Sequence, residues 1–124
     1  MTVKTLTAAD FEATIVASPT VLVDFWAPWC GPCRAFAPVF ERSAQNHPDI
    51  VYAKVDTDAE RELAATVGIR SVPTIMAFRE GILVYSQPGA MSPAVLEDLI
   101  GQIKGLDMAR VRVKIAERKA AATT

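Results

Sequence analysis

Both cysteines of the chain stand two residues apart, in Trp29-Cys30-Gly31-Pro32-Cys33. A strand-like apolar run precedes them and helical spacing follows, which sets Cys30 at a helix N-terminus. Such an end carries partial positive charge and unpaired backbone N–H groups, and so favours a thiolate over a thiol. A thiolate with a second thiol in reach is a reagent for making and breaking disulfides. Three other chemistries compete for the pair. A structural disulfide stabilises by closing a long loop, and this spacing closes almost none. Structural zinc takes four Cys or His ligands, whereas the chain offers two Cys and the single His47. Two inert buried thiols fit poorly with Gly31-Pro32, since Gly admits close backbone approach and Pro suits a first helical turn. Dithiol–disulfide exchange is the strongest reading.

The elements that must position the pair follow from periodicity. Val21 to Trp26 is a nearly unbroken apolar run, as expected of a central strand buried on both faces. Before it, Thr7 with Asp10 resembles a capping box opening a helix with Phe11, Ile15 and Val16, ended at Ser18-Pro19. After the cysteines, Phe36, Val39 and Phe40 recur at helical spacing as far as Asn46, with Pro38 as an interior kink. Ile50 to Val55 reads as a second buried strand, and Glu60 to Val67 as a short helix stopped by Gly68. Thr74 to Phe78 and Ile82 to Tyr85 form strands joined at Glu80-Gly81. Ser92-Pro93 caps a helix whose apolar face carries Leu96, Leu99, Ile100 and Ile103. This alternation implies an α/β sandwich with a mixed central sheet. Phe11, Phe25, Phe36, Phe40 and Phe78 are assigned to the core, and His47 to the surface with no catalytic part.

At 124 residues and 51% hydrophobic, the chain suits one core-forming domain. A net charge of −1 gives no general pull toward nucleic acid or membrane. No apolar run is long enough to span a bilayer. Met1 to Thr5 lacks the apolar centre of a signal peptide, so the expected location is cytoplasmic, where a C-x-x-C pair is more often catalytic than structural.

The run Val23-Asp24-Phe25-Trp26-Ala27-Pro28-Trp29-Cys30-Gly31-Pro32-Cys33-Arg34, with Ala37-Pro38 beyond it, resembles the active-site segment of the thioredoxin family. The likeness continues in Ala53-Lys54-Val55-Asp56, in Val67-Gly68-Ile69-Arg70-Ser71-Val72-Pro73-Thr74 and in Gly89-Ala90, in the family's order. It covers residues 1–105, and implies a thioredoxin-like three-layer α/β/α sandwich. The Gly-Pro pair looks like the reducing members of that superfamily.

The resemblance carries roles onto matching positions. Cys30 would be the nucleophile and Cys33 the resolving thiol, less exposed than Cys30. Asp24 is the one charge in an apolar run; on pattern alone it could be a carboxylate at a strand end facing water. The resemblance instead buries it beneath the disulfide as the base that deprotonates Cys33, with Lys54 modulating its charge. Lys54 read alone is a solvated strand lysine. Composition favours a trans bond before Pro73, whereas the resemblance implies a cis bond, with the Val72 backbone pairing a substrate strand. Trp29, Gly31, Pro32, Val72, Pro73, Gly89 and Ala90 would form a flat docking surface; singly, each also suits ordinary turn or core packing. Trp26 is expected to pack behind the site. Ser71 stands where many members have glycine, and Thr57 replaces a commonly apolar residue, both near that surface.

Residues 106–124 extend beyond the resemblance. Val111, Val113 and Ile115 alternate like a strand, yet Ala116 to Ala122 favours helix; a partly helical extension is expected. The functional expectation is a protein disulfide reductase that binds no cofactor. The resemblance implies recharging from NADPH through a flavin-containing thioredoxin reductase, with disulfide-containing proteins as clients and a monomeric state. The alternatives are a binding module that docks a dedicated partner, and a disulfide isomerase or oxidase using the same chemistry at another potential.

Overall fold

Alternation along one strand organises the architecture. In the computed structural model, which describes residues 2–122, β2 (Thr20–Trp26) is buried along its whole length except at Trp26. Val21, Val23 and Phe25 point into one apolar layer with Phe11, Ile15, Val55 and Phe78. Leu22 points into the other, with Phe36, Phe40, Tyr52, Leu96 and Ile100. Two layers on opposite faces require helices on both sides of the sheet. These are α1 (Phe11–Ala17) and α3 (Arg61–Thr66) on one face, α2 (Gly31–Asn46) and α4 (Pro93–Lys104) on the other. The fold is the expected thioredoxin-like α/β sandwich.

The five-stranded sheet has the order β1-β3-β2-β4-β5. β1 (Val3–Thr5) and β2 both pair in parallel with β3 (Val51–Asp56). β4 (Thr74–Arg79) runs antiparallel to β2 and to β5 (Ile82–Pro88), which makes the sheet mixed. The β4–β5 connection turns through Glu80 and Gly81, at φ 52° and 79°. Two successive positive φ values match the right-handed strand twist that a two-residue hairpin needs. β5 extends past the expected Tyr85 to Pro88, because pairing continues opposite Thr74.

Helix ends follow local chemistry. Asp10 Oδ1 accepts from the Thr7 N–H at 2.7 Å, the reach-back half of a capping box, and α1 begins one residue later. Ser92 accepts from the Val95 N–H at 3.2 Å ahead of Pro93. α3 ends with Gly68 at φ 79°, its N–H bonded to the Ala65 carbonyl and that of Ile69 to Ala64. This is a Schellman stop. Pro38 lies inside α2 without ending it.

His47 corrects its surface assignment. Its side chain is 20% exposed, and its Nε2 lies 2.6 Å from Glu97 Oε2, tying the end of α2 to α4. The extension is α5 (Met108–Ala122). Its helix settles the alternating valines: Met108 is buried, Val111 and Ile115 are half-buried one turn apart, and Val113 is 57% exposed. Arg112 pairs with Glu80 of the hairpin. Met1 and the last two residues of the expected extension lie outside the described residues. Among the described residues no helix is long and apolar enough to cross a membrane.

A Cβ added at Gly68 would meet no atom within 4 Å, so any cost of a side chain there is conformational. Gly68→Ala should destabilise the protein by about 1 kcal/mol in urea unfolding, the penalty of a left-handed L-residue. An unchanged midpoint would mean that the turn relaxes to negative φ.

Candidate active site

The loop between β2 and α2 delivers the cysteines. Cys30 is the N-cap of α2, Gly31 and Pro32 open the first turn, and the Cys33 N–H donates to Cys30 Sγ at 3.1 Å. Proline loses nothing at that position, where its missing N–H would have no helical partner. The sulfurs are joined in a Cys30–Cys33 disulfide with the Cα atoms 5.2 Å apart. Cys30 and Cys33 are 3% and 2% exposed, so the expected contrast in exposure is absent in the disulfide form. Cys30 Sγ lies 3.6 Å from the Val72 carbonyl oxygen. What separates the two sulfurs is the Cys33 amide, which is directed at Cys30.

Around the pair stands a second layer. Ala27, Cys30 and Cys33 form a small buried cluster against which Trp26 and Val72 pack. Trp29 is 68% exposed beside it, and its indole N–H reaches Asp58 Oδ1 at 3.4 Å. The Val72–Pro73 bond is cis, as the family resemblance implied and composition did not. The Gly89 N–H donates to the Pro73 carbonyl at 2.8 Å. Gly89 itself sits at φ 109°, a conformation L side chains rarely adopt. This bond sets exposed Gly89 and Ala90 beside the proline loop. Trp29, Gly31, Pro32, Val72, Pro73, Gly89 and Ala90 thus fall on three segments: the cysteine loop with the first turn of α2, the proline loop and the loop after β5.

Asp24 is 4% exposed. Strand alternation puts it on the same face as Leu22, the face covered by α2, whose first turn carries the cysteines. Its Oδ1 has no hydrogen-bond partner among the described residues. In the register of the parallel pair it stands opposite Lys54, which shares the face of Tyr52. Burial pushes the Asp24 carboxyl up to about 7, and the Lys54 ammonium offsets part of that rise. Lys54 Nζ also lies 5.5 Å from the centroid of the Trp26 ring, within cation–π range. Lys54 is therefore a half-buried neighbour of the site rather than a solvated strand lysine.

Sequence reasoning did not find Asp58, which no spacing links to Trp29. It also did not find Arg61, which lines a groove beside the disulfide with Arg70 and Ser71. Contacts between separate loops leave no periodic trace in a sequence. No group of three or more His, Cys, Asp or Glu among the described residues is placed to hold a metal ion.

Two sulfurs joined at a helix start, one of them met by a helix-terminal amide, make a dithiol–disulfide exchange centre. The thioredoxin family model matches residues 2–102. A Streptomyces coelicolor protein, "Putative thioredoxin 2", is 50% identical over 117 residues, covering 94% of this chain and 87% of that one. Thioredoxin 1 of Synechococcus elongatus is 44% identical over 97 residues, covering 77% and 91%. Among solved structures, a mutant thioredoxin from Halobacterium salinarum superposes with a TM-score of 0.78 at 33% identity, over 84% of this chain and 92% of that chain. The chain belongs to the thioredoxin family and is a thioredoxin-type disulfide oxidoreductase.

The raised Asp24 carboxyl has a cost. Unfolded, the group ionises near 3.8; folded, near 7. Between those values the folded state holds a proton that the unfolded state has lost, so stability falls as pH rises through the window. The full effect is about 4 kcal/mol for a shift of this size. Asp24→Asn should therefore gain stability over the wild type progressively from about pH 4 to about pH 7, levelling off above. Urea unfolding of the disulfide form measures it; a pH-independent gain would show that Asp24 ionises equally easily in both states.

Proposed function

We propose that this chain is a general reductant of protein disulfides in the cytoplasm, with Cys30 as nucleophile and Cys33 as resolving thiol. The observation that supports the assignment is the Cys33 N–H directed at Cys30 Sγ, which stabilises negative charge on that sulfur. In the reduced protein the Cys30 thiolate attacks one sulfur of a client disulfide. An S–S bond forms between Cys30 and the client as the client's own S–S bond breaks and the first client thiolate leaves. Cys33 then loses its proton and attacks Cys30 Sγ. The mixed disulfide breaks, the second client thiolate leaves, and Cys30–Cys33 closes. Two electrons pass to the client, whose two thiolates take up two protons.

Asp24 is the proposed base for Cys33. A carboxyl that titrates near 7 accepts a proton at working pH and releases it afterwards, which an ordinary surface aspartate cannot do. Lys54 tunes it by lying opposite in the sheet. Trp29, Gly31, Pro32, Gly89 and Ala90 provide the surface on which the client lies, and the backbone of Val72, ahead of Pro73, pairs with the client's strand. Recharging is assigned to a flavin-containing thioredoxin reductase that draws on NADPH. No glycine-rich nucleotide fingerprint occurs in this sequence. The working unit is a monomer whose activity resides in residues 1–105.

Two measurements check this. In rapid-quench reactions of the reduced protein with a peptide disulfide, Asp24→Asn should slow resolution of the mixed disulfide about tenfold or more, within the range for general bases. Attack by Cys30 should change far less; equal slowing of both steps would remove Asp24 from the resolving step. Truncation after Gly105 should retain most of the reductase rate while lowering the melting temperature by several degrees, since buried Met108 is lost. Loss of most of the rate would place α5 in the working domain.

A further inference from the structure

Beside the disulfide, between the start of α3 and the proline loop, runs an open groove of about 280 Å3. Its walls include Trp29 and Val72, the two residues that flank Cys30, and it is continuous with the surface on which a client must lie. Two of its lining side chains are cationic, Arg61 from the first turn of α3 and Arg70 from the loop that leads into Ser71-Val72. Both residues are exposed. Neither guanidinium has an ion pair among the described residues.

The acids nearest in sequence form no ion pair with them among the described residues, although Asp58, Glu60 and Glu62 share an adjoining depression with Arg61. Asp56 Oδ1 accepts the N–H groups of Asp58 and Ala59. Asp58 Oδ1 takes the Trp29 indole N–H at the rim. Glu60 Oε1 accepts the Ala8 N–H at 2.8 Å, which turns it toward the start of the chain. Neither these three nor Glu62 lines the groove. The charged side chains that line the groove itself are thus both cationic, with acids confined to its Trp29 rim and to an adjoining depression, on a protein whose net charge is −1. A cleft of one sign raises the local concentration of ligands of the other sign, and guanidinium groups match carboxylates geometrically.

We propose that Arg61 and Arg70 form a carboxylate subsite that selects client disulfides flanked by acidic residues. The inference rests on the reductase reading above and adds the class of client to it. The client strand pairs with the Val72 backbone, and Asp or Glu side chains next to the attacked cysteine extend into the groove toward the two guanidinium groups. Asp58 at the Trp29 rim repels acids on that side, so the preference is directional along the client.

The test uses the full chain, pre-reduced, in single-turnover reactions with peptide disulfides that are identical except for Glu or Gln in the residues flanking the attacked cysteine. The readout is the ratio of second-order rate constants, Glu peptide to Gln peptide, for each variant. Exposed ion pairs and steering together suggest a wild-type ratio of about five to ten at low salt. That ratio should shrink toward one as salt screens the pair. Arg61→Glu with Arg70→Glu should bring it to one or below, while Arg61→Lys with Arg70→Lys should restore most of it. A wild-type ratio of one, or a ratio the charge reversal leaves intact, overturns the carboxylate subsite. Failure of the reduced wild type to turn over either peptide instead overturns the reductase reading beneath it.

Discussion

A single backbone amide governs the site. For the Cys33 N–H to be free to meet Cys30 Sγ, α2 must begin at Gly31, so that Cys33 falls among the first-turn amides that lack helical partners. Pro32 contributes by having no N–H of its own to satisfy. The start of the helix is in turn anchored by β2, whose last residues lead through buried Ala27 into the turn. The Cys30 N–H donates to the Ala27 carbonyl at 3.1 Å, which fixes where the chain can enter the helix.

On the sheet face covered by the same helix the protein keeps a group that its core would reject. Both chain neighbours of Asp24, Val23 and Phe25, are apolar and fully buried, and the layer above holds Phe36 and Phe40. An Asn or a Val at that position would suit the core better, because burying an unpaired carboxylate is among the most costly events in a protein interior. The register that brings Lys54 opposite reduces the penalty without removing it, since an ammonium close enough to cancel it would also hold the carboxyl ionised at all working pH values. If Asp24 is the base proposed for Cys33, stability and proton transfer make opposite demands on one side chain.

Much of this was legible in the sequence because it is local. The C-x-x-C spacing, the Ser92-Pro93 helix start, the Gly68 stop and the Glu80-Gly81 turn each need only a few adjacent residues to state their chemistry. Asp24 was legible as a violation, one charge in an otherwise apolar strand. The cis bond at Pro73 was not local, and it was reached only through the family likeness. The nearly equal burial of the two cysteines depends on how the disulfide ring settles against Val72, which no spacing encodes. The same holds for Arg61 and Arg70, which meet only because α3 and the proline loop converge. In the extension, alternation and helical spacing coexist in Val111, Val113 and Ile115. Burial of Met108, one turn ahead of Val111, agrees with the helix.

The bond from the Gly89 N–H to the Pro73 carbonyl joins two loops that lie far apart in the chain. Pro73 is buried, and Thr74 Oγ1 donates to the Ser71 carbonyl at 2.7 Å, so the proline loop is itself braced from within. If this is the face that clients meet, as proposed, it behaves as an anvil. It has little freedom to mould itself around a partner, and ordering it costs almost nothing on contact. The bending needed to lay a disulfide flat against Cys30 falls on the partner. On that reading, bonds in hinges, strained loops and half-unfolded segments would yield to such a surface far sooner than those locked inside a finished core.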